Sequence, residues 1–207
     1  MKYLKTFENT NKPRKYTKKY SNGNIYISYK LNGNLHREDG PAVIIFNDDG
    51  KIFNISYRLN DKLHREDGPA DQYYYTNGQI SSEIYAINGI KHRKNNPAEL
   101  FWYENGQKRR EDYIINDKKH RIDGPATTVW YDNGQKECEY YHINGKKHRE
   151  DGPAIIRWDE LGNLTEKEYF LNNIEYDRED WLNKLKEMNS THYQKQKMLY
   201  EIDKYNL

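Results

Sequence analysis

Apolar and polar residues alternate with period two in short stretches, and these stretches return every 28 residues. After each Pro-Ala an extended run ends in an aromatic residue, at Phe46, Tyr74, Trp102, Trp130 and Trp158. A glycine stands four residues further on, at Gly50, Gly78, Gly106, Gly134 and Gly162. Asp49-Gly50, Asn77-Gly78, Asn105-Gly106 and Asn133-Gly134 read as hairpin turns of the type that needs positive φ at both central positions. A second strand carries a tyrosine in every copy (Tyr57, Tyr85, Tyr113, Tyr141, Tyr169), with Leu or Ile two positions later. Another turn then opens with asparagine, at Asn60-Asp61, Asn88-Gly89, Asn116-Asp117 and Asn144-Gly145.

Alternation assigns the faces. Ala42, Ile44 and Phe46 share one side, Tyr57 and Leu59 share one side of the partner strand, and these positions form the predicted spine. Glu83, Glu111, Glu139 and Lys167, in the middle of the second strand, are predicted to face solvent. The slot of the single cysteine, Cys138, holds Asn54, Ser82, Arg110 and Glu166 in other copies, a variability that predicts exposure.

A constant period of this length marks a repeat array whose units bury their apolar faces against one another. The predicted fold is an all-β repeat: an elongated single antiparallel β-sheet of hairpins, about two strands per repeat, with a C-terminal α-helical cap. Each repeat then adds about 10 Å to the sheet. Residues 1–19 form a basic N-terminal segment, read as a solvated terminus. Residues 20–176 form the sheet, with a half repeat at 20–30 and repeats starting near 31, 59, 87, 115 and 143. Residues 177–207 form the cap. Asp177 with Asp180 starts a helix that places Trp181, Leu182, Leu185 and Met188 on one face. Ser190 starts a second helix with Met198, Leu199, Ile202 and Tyr205 inward.

Composition narrows the class. Hydrophobic residues make up only 35% and charged residues 32%, yet 20 tyrosines, four tryptophans and five phenylalanines argue against a disordered chain. A thin sheet with an aromatic spine satisfies both. The net charge of +2 is too small to imply nucleic acid or membrane by itself. One cysteine excludes an internal disulfide framework, and no apolar run suffices for a secretory signal or a membrane span. These features point to a cytoplasmic protein.

The candidate chemistry lies in one phrase, His36-Arg37-Glu38-Asp39-Gly40-Pro41-Ala42, whose His-Arg pair returns at His64-Arg65, His92-Arg93, His120-Arg121 and His148-Arg149. Five copies of one arrangement are structural or a row of equivalent contacts, not a catalytic centre. Gly-Pro-Ala shapes a turn into the next strand, and Arg and Asp two positions apart suit an ion pair. The third copy reads Lys94-Asn95-Asn96 in place of the Glu-Asp-Gly triplet, so no strict Arg-Asp ladder is required. Metal binding is disfavoured because arginine separates the His and Asp of each loop. Phosphate or nucleic-acid binding by the arginines is opposed by the neighbouring aspartates. Stacking of bases or sugars on Trp102, Trp130 and Trp158 competes with core packing beside alanine. No nucleophile elbow, Gly-rich phosphate loop or paired cysteine is present, so no enzyme, cofactor or metal is expected.

The alternation of aromatic-x-Asn-Gly with Tyr-x-Ile-Asn-Gly, carrying His-Arg-x-Asp-Gly-Pro-Ala, resembles a variant of the MORN repeat. Arrays of this kind occur in proteins of giant DNA viruses and bacteriophages. The resemblance implies an extended hairpin sheet that serves as a protein-binding or scaffolding surface, in host cytoplasm, a viral factory or the virion. Some bacterial proteins with the variant repeat are antitoxins, which implies an alternative: an inhibitor or immunity-type protein neutralising one partner enzyme. A minor virion component is a further alternative. The candidate partner-binding residues are the five His-Arg pairs, and the open sheet edge is a candidate for self-association.

Overall fold

The computed structural model describes residues 12–188, 191, 192, 194, 197 and 198. The chain forms two compact units, one ending at Ile90 and one starting at Lys91. In the first, β1 (Arg14–Lys19), β2 (Ile25–Leu31), β3 (Val43–Phe46), β4 (Ile52–Ser56), β5 (Asp71–Tyr74) and β6 (Ile80–Ile84) form an antiparallel meander. The second holds β7 (Glu99–Trp102), β8 (Lys108–Asp112), β9 (Thr127–Trp130), β10 (Lys136–Tyr140), β11 (Ile155–Trp158), β12 (Leu164–Leu171) and β13 (Ile174–Tyr176) in the same arrangement. The helix α1 (Arg178–Glu187) follows. This is the hairpin sheet with a C-terminal helix that the alternation predicts. A short two-residue ladder, such as Arg58–Leu59 with Lys62–Leu63, completes each repeat.

The first turn of each repeat departs from the expected form. Only its glycine has positive φ, 80° at Gly50 and 87° at Gly78. The Gly50 N–H donates to the Asn47 carbonyl at 3.1 Å, and the Asn47 N–H donates to the Lys51 carbonyl at 3.0 Å. The register slips between Ile45 and Phe46, and likewise at Tyr73/Tyr74, Phe101/Trp102, Val129/Trp130 and Arg157/Trp158. This is a type I turn closed by a glycine bulge. Its Asp or Asn serves through the side chain: Asp49 Oδ1 accepts from the Lys51 N–H at 2.9 Å, and Asn77 Oδ1 from the Gln79 N–H at 2.9 Å. The doubly left-handed turn sits in the second hairpin instead, with φ of 51° and 66° at Asn60 and Asp61.

Burial also departs from the predicted spine. The alanines Ala42, Ala70, Ala98, Ala126 and Ala154 are fully buried, while Ile44 and Phe46 are half-buried. The opposite side of the strands is the better covered one, through Val43, Asp71, Thr127 and Ile155. It is covered because the short ladders reach over it. Lys91 Nζ lies 2.6 Å from Glu99, Lys119 Nζ 3.1 Å from Asp112, and Arg58 Nε donates to Ser56 Oγ at 3.0 Å. Cys138, Asn54 and Ser82 are therefore buried, not exposed, and the variability of their slot reflects changing polar partners. Glu139 is buried too, held by Lys136 at 2.6 Å and by the Tyr141 hydroxyl at 3.0 Å. Glu83 and Glu111 are half-buried, and of the four predicted solvent positions Lys167 is the exposed one.

The ends are treated differently. Arg14–Lys19, read from sequence as a solvated segment, pairs with β2 along its whole length while exposing all six side chains. Charged residues along such an edge discourage further pairing. At the other end Asp177 caps α1, accepting from the Asp180 N–H at 2.8 Å. Trp181, Leu182 and Leu185 pack with Leu171, Tyr169 and Tyr176. The Trp181 ring lies 4.9 Å from Tyr169, and its indole N–H donates to the Arg149 carbonyl at 3.3 Å. Met188, expected inward, is the exposed C-cap. Of the second helix predicted from Ser190, Met198, expected inward, is exposed, and Ser190, Leu199, Ile202 and Tyr205 lie outside the described residues.

Candidate functional site

The repeated phrase forms a closed clamp. The Arg37 guanidinium stacks 4.0 Å from the centre of Tyr29, and its Nε donates to Asp39 Oδ1 at 2.7 Å. The same pair of contacts holds Arg65 on Tyr57 (4.1 Å) and Asp67 (2.8 Å), and Arg121 on Tyr113 (3.9 Å) and Asp123 (2.9 Å). Arg149 completes the set on Tyr141 (3.7 Å) and Asp151 (2.6 Å). The glycine makes room for this stack. A Cβ at Gly40, Gly68, Gly124 or Gly152 would approach the guanidinium carbon to 3.0, 2.9, 3.1 and 3.2 Å. The Arg partner holds Asp39, Asp67 and Asp123 below the ordinary carboxylate range. At Asp151 burial pushes the other way, but the hydrogen bond from Arg149 and the charges of Arg149 and His192 prevail.

Histidine joins one repeat to the next. His36 Nδ1 lies 3.0 Å from Asn60 Oδ1, His64 Nδ1 2.9 Å from Asn88 and His92 Nδ1 3.0 Å from Asn116. The backbone N–H groups of Asn88, Asn144 and Asn172 donate to Nδ1 of His64, His120 and His148 at 3.1–3.2 Å. The arginine backbone adds a parallel tie, with Arg37 N–H donating to the Arg58 carbonyl and Arg121 N–H to that of His142. In the third copy Arg93 keeps its tie to Ile114 and donates from its guanidinium to the Pro97 carbonyl at 3.2 Å. Asn95, at the position of the missing aspartate, takes a positive φ of 64°.

The ten predicted contact residues thus gather along the loops, but their polar groups are turned inward. The Arg37, Arg65, Arg121 and Arg149 side chains are 19–25% exposed, whereas those of Glu38, Asp39, Glu66 and Asp67 are 82–84% exposed. Between successive loops the surface forms notches. One, of about 510 Å³, is floored by Tyr57 and Leu59 and walled by the loops at 37–40 and 64–67. Another, of about 490 Å³, has Tyr113 and Ile115 as its floor, and a third, of about 580 Å³, has Tyr141 and Ile143. The position after arginine lines the rims and varies among the copies, being Glu at 38, 66 and 150, Lys at 94 and Ile at 122. Ile122 is 85% exposed. Sequence reading had the signal for this in the varying x of the phrase, and weighted the constant residues instead.

A polar cluster on the covered side of the strands was not legible. Asp112, with no exposed surface, accepts from Thr127 Oγ1 at 2.5 Å and pairs with Arg110 and Lys119 at 2.6 and 3.1 Å. Burial lowers the His142 pKa nearby, and Lys119 adds to the shift. Asp71 is buried against Asn54, which donates to it at 2.8 Å, and burial raises its pKa. Burial likewise raises the Cys138 thiol. Among the described residues no three His, Cys, Asp or Glu side chains converge as a metal site, and no helix is long and apolar enough to cross a membrane.

No protein-family model matches the chain, and no curated protein matches it in sequence.

Proposed function

We propose that the chain is a non-enzymatic repeat protein of the MORN-like type that presents its loops as an extended protein-binding surface, acting in the cytoplasm of a virus-infected cell. The observation that carries this reading is the division of labour within the loop. His and Arg in every copy, with Asp in four of the five, form the inter-repeat ties and clamps, while the residue after arginine, which varies among Glu, Lys and Ile, stands on the rim of a notch. Such a surface makes many similar contacts at one spacing, with specificity set by the rim residues. Arginine side chains already paired to aspartate are poor receptors for phosphate, which weighs against nucleic acid.

The experiment is affinity capture with tagged full-length protein from lysate of infected cells, repeated after nuclease treatment, with the mass of the recovered complex determined. The scaffold reading expects nuclease-resistant protein partners, several per chain or several copies of one. One tight, one-to-one partner enzyme would replace it with the inhibitor reading, and recovery lost on nuclease treatment would overturn it.

A further inference from the structure

The last loop differs from its equivalents in what covers it. Glu150 and Asp151 are 31% and 50% exposed, against 82–84% for Glu38, Asp39, Glu66 and Asp67. The chain after α1 returns to this loop, and His192 lines the notch there together with Arg149, Glu150 and Asp151. The imidazole stands close enough to the Asp151 carboxylate to favour its ionised form. A segment of the protein's own chain thus approaches one copy of the loop with a titratable base beside the acid.

In the first unit the equivalent notch is open. Its floor is Tyr57 and Leu59, and Glu38, Asp39, Glu66 and Asp67 project from its two walls while Arg37 and Arg65 lie inside their clamps. Four projecting carboxylates over an aromatic and aliphatic floor fit a long side chain with an apolar stem and a cationic head.

Resting on the binding-surface reading above, we propose that this notch docks a basic segment of a partner protein. A lysine or arginine stem lies on Tyr57 and Leu59, and its charge sits between Glu38 and Glu66, as His192 sits at Asp151. The glutamates define the specificity, since the aspartates are held by the clamp arginines at 2.7 and 2.8 Å, whereas Glu38 and Glu66 stand farther from their nearest partners, 3.5 and 3.9 Å from the His36 and His64 rings.

The test is fluorescence anisotropy of full-length protein with a labelled twelve-residue peptide of alternating lysine and leucine. Controls are its glutamate counterpart and a single-stranded oligonucleotide. The lysine peptide should bind, more weakly as salt rises, and E38K/E66K should weaken it at least about tenfold with an unchanged melting temperature. The matched reversal D132K/E160K, at exposed turn residues of the second unit, should leave binding within about twofold. Equal loss in both variants, or no loss in E38K/E66K, would overturn the docking site. Preferred binding of the glutamate peptide or the oligonucleotide would overturn its charge. A lysate partner that E38K/E66K still captures would leave the binding-surface reading standing and refute this site alone.

Discussion

Replacing Arg121 with alanine removes the centre of one clamp. The side chain is three-quarters covered, with its guanidinium 3.9 Å from the centre of Tyr113 and its Nε 2.9 Å from Asp123. Its partner aspartate is exposed, so the ion pair itself contributes little. The cation–π contact, partly desolvated, is worth about 1–2 kcal/mol, and the covered stem adds about 1 kcal/mol of lost packing. The expected destabilisation is therefore about 2–3 kcal/mol, a fall of roughly 4–12 °C in melting temperature for a chain of this size. Thermal unfolding followed by circular dichroism, with a urea midpoint as a second reading, measures it. R121K keeps the charge but loses the planar stack and fork, and should recover less than half of the loss. G124A, whose Cβ would stand 3.1 Å from the guanidinium carbon, should destabilise in the same direction by displacing the stack. A melting temperature within 1 °C of wild type for R121A would refute the clamp.

Asp112→Ala leaves Arg110 and Lys119 beside a buried vacancy and Thr127 without its acceptor, and should cost about 3–5 kcal/mol by urea titration. Trp181→Ala should cost about 3–5 kcal/mol and Asp177→Ala about 1 kcal/mol, read on the same scale. The loop aspartates have depressed folded pKa values, so their contribution is complete above the unfolded value of about 4 and is lost as pH falls through the folded values. Carboxyl NMR titration should find Asp39, Asp67 and Asp123 ionised below that value, and R37A should return Asp39 to it. Cys138 should react with a thiol reagent only as fast as the fold opens, because its thiol is buried and raised.

The sheet was legible because recurrence acts as an internal alignment. Tyr57 and its equivalents, the Ala stack and the Asn turns each stand in the same slot five times, and the strands follow. The turn type was not legible. Asn-Gly and Asp-Gly suit a doubly left-handed turn and a glycine-bulge turn equally, and the register slip at Phe46 decides between them only in three dimensions. The covered face was hidden for a different reason. Its residues are Val43, Asp71, Glu99, Thr127 and Ile155, which share no hydropathy because each copy meets a different residue of the short ladder. The strand Arg14–Lys19 was masked by its charge, which belongs to an edge. In the candidate site the loops and their arginine–aspartate pairs were readable. Which side chains project was not, because stacking on a tyrosine eight residues earlier in the chain leaves no local signature.

The most direct test compares two multiple variants by thermal unfolding: R37A/R65A/R121A/R149A, which empties the clamps, and E38A/E66A/K94A/I122A, which clears the rims. If the constant residues hold the repeats and the changing ones face a partner, the first should lose more than about 15 °C or its cooperative transition, and the second should stay within about 2 °C. A clamp variant as stable as wild type, or a rim variant that unfolds as the clamp variant is predicted to, would contradict the account.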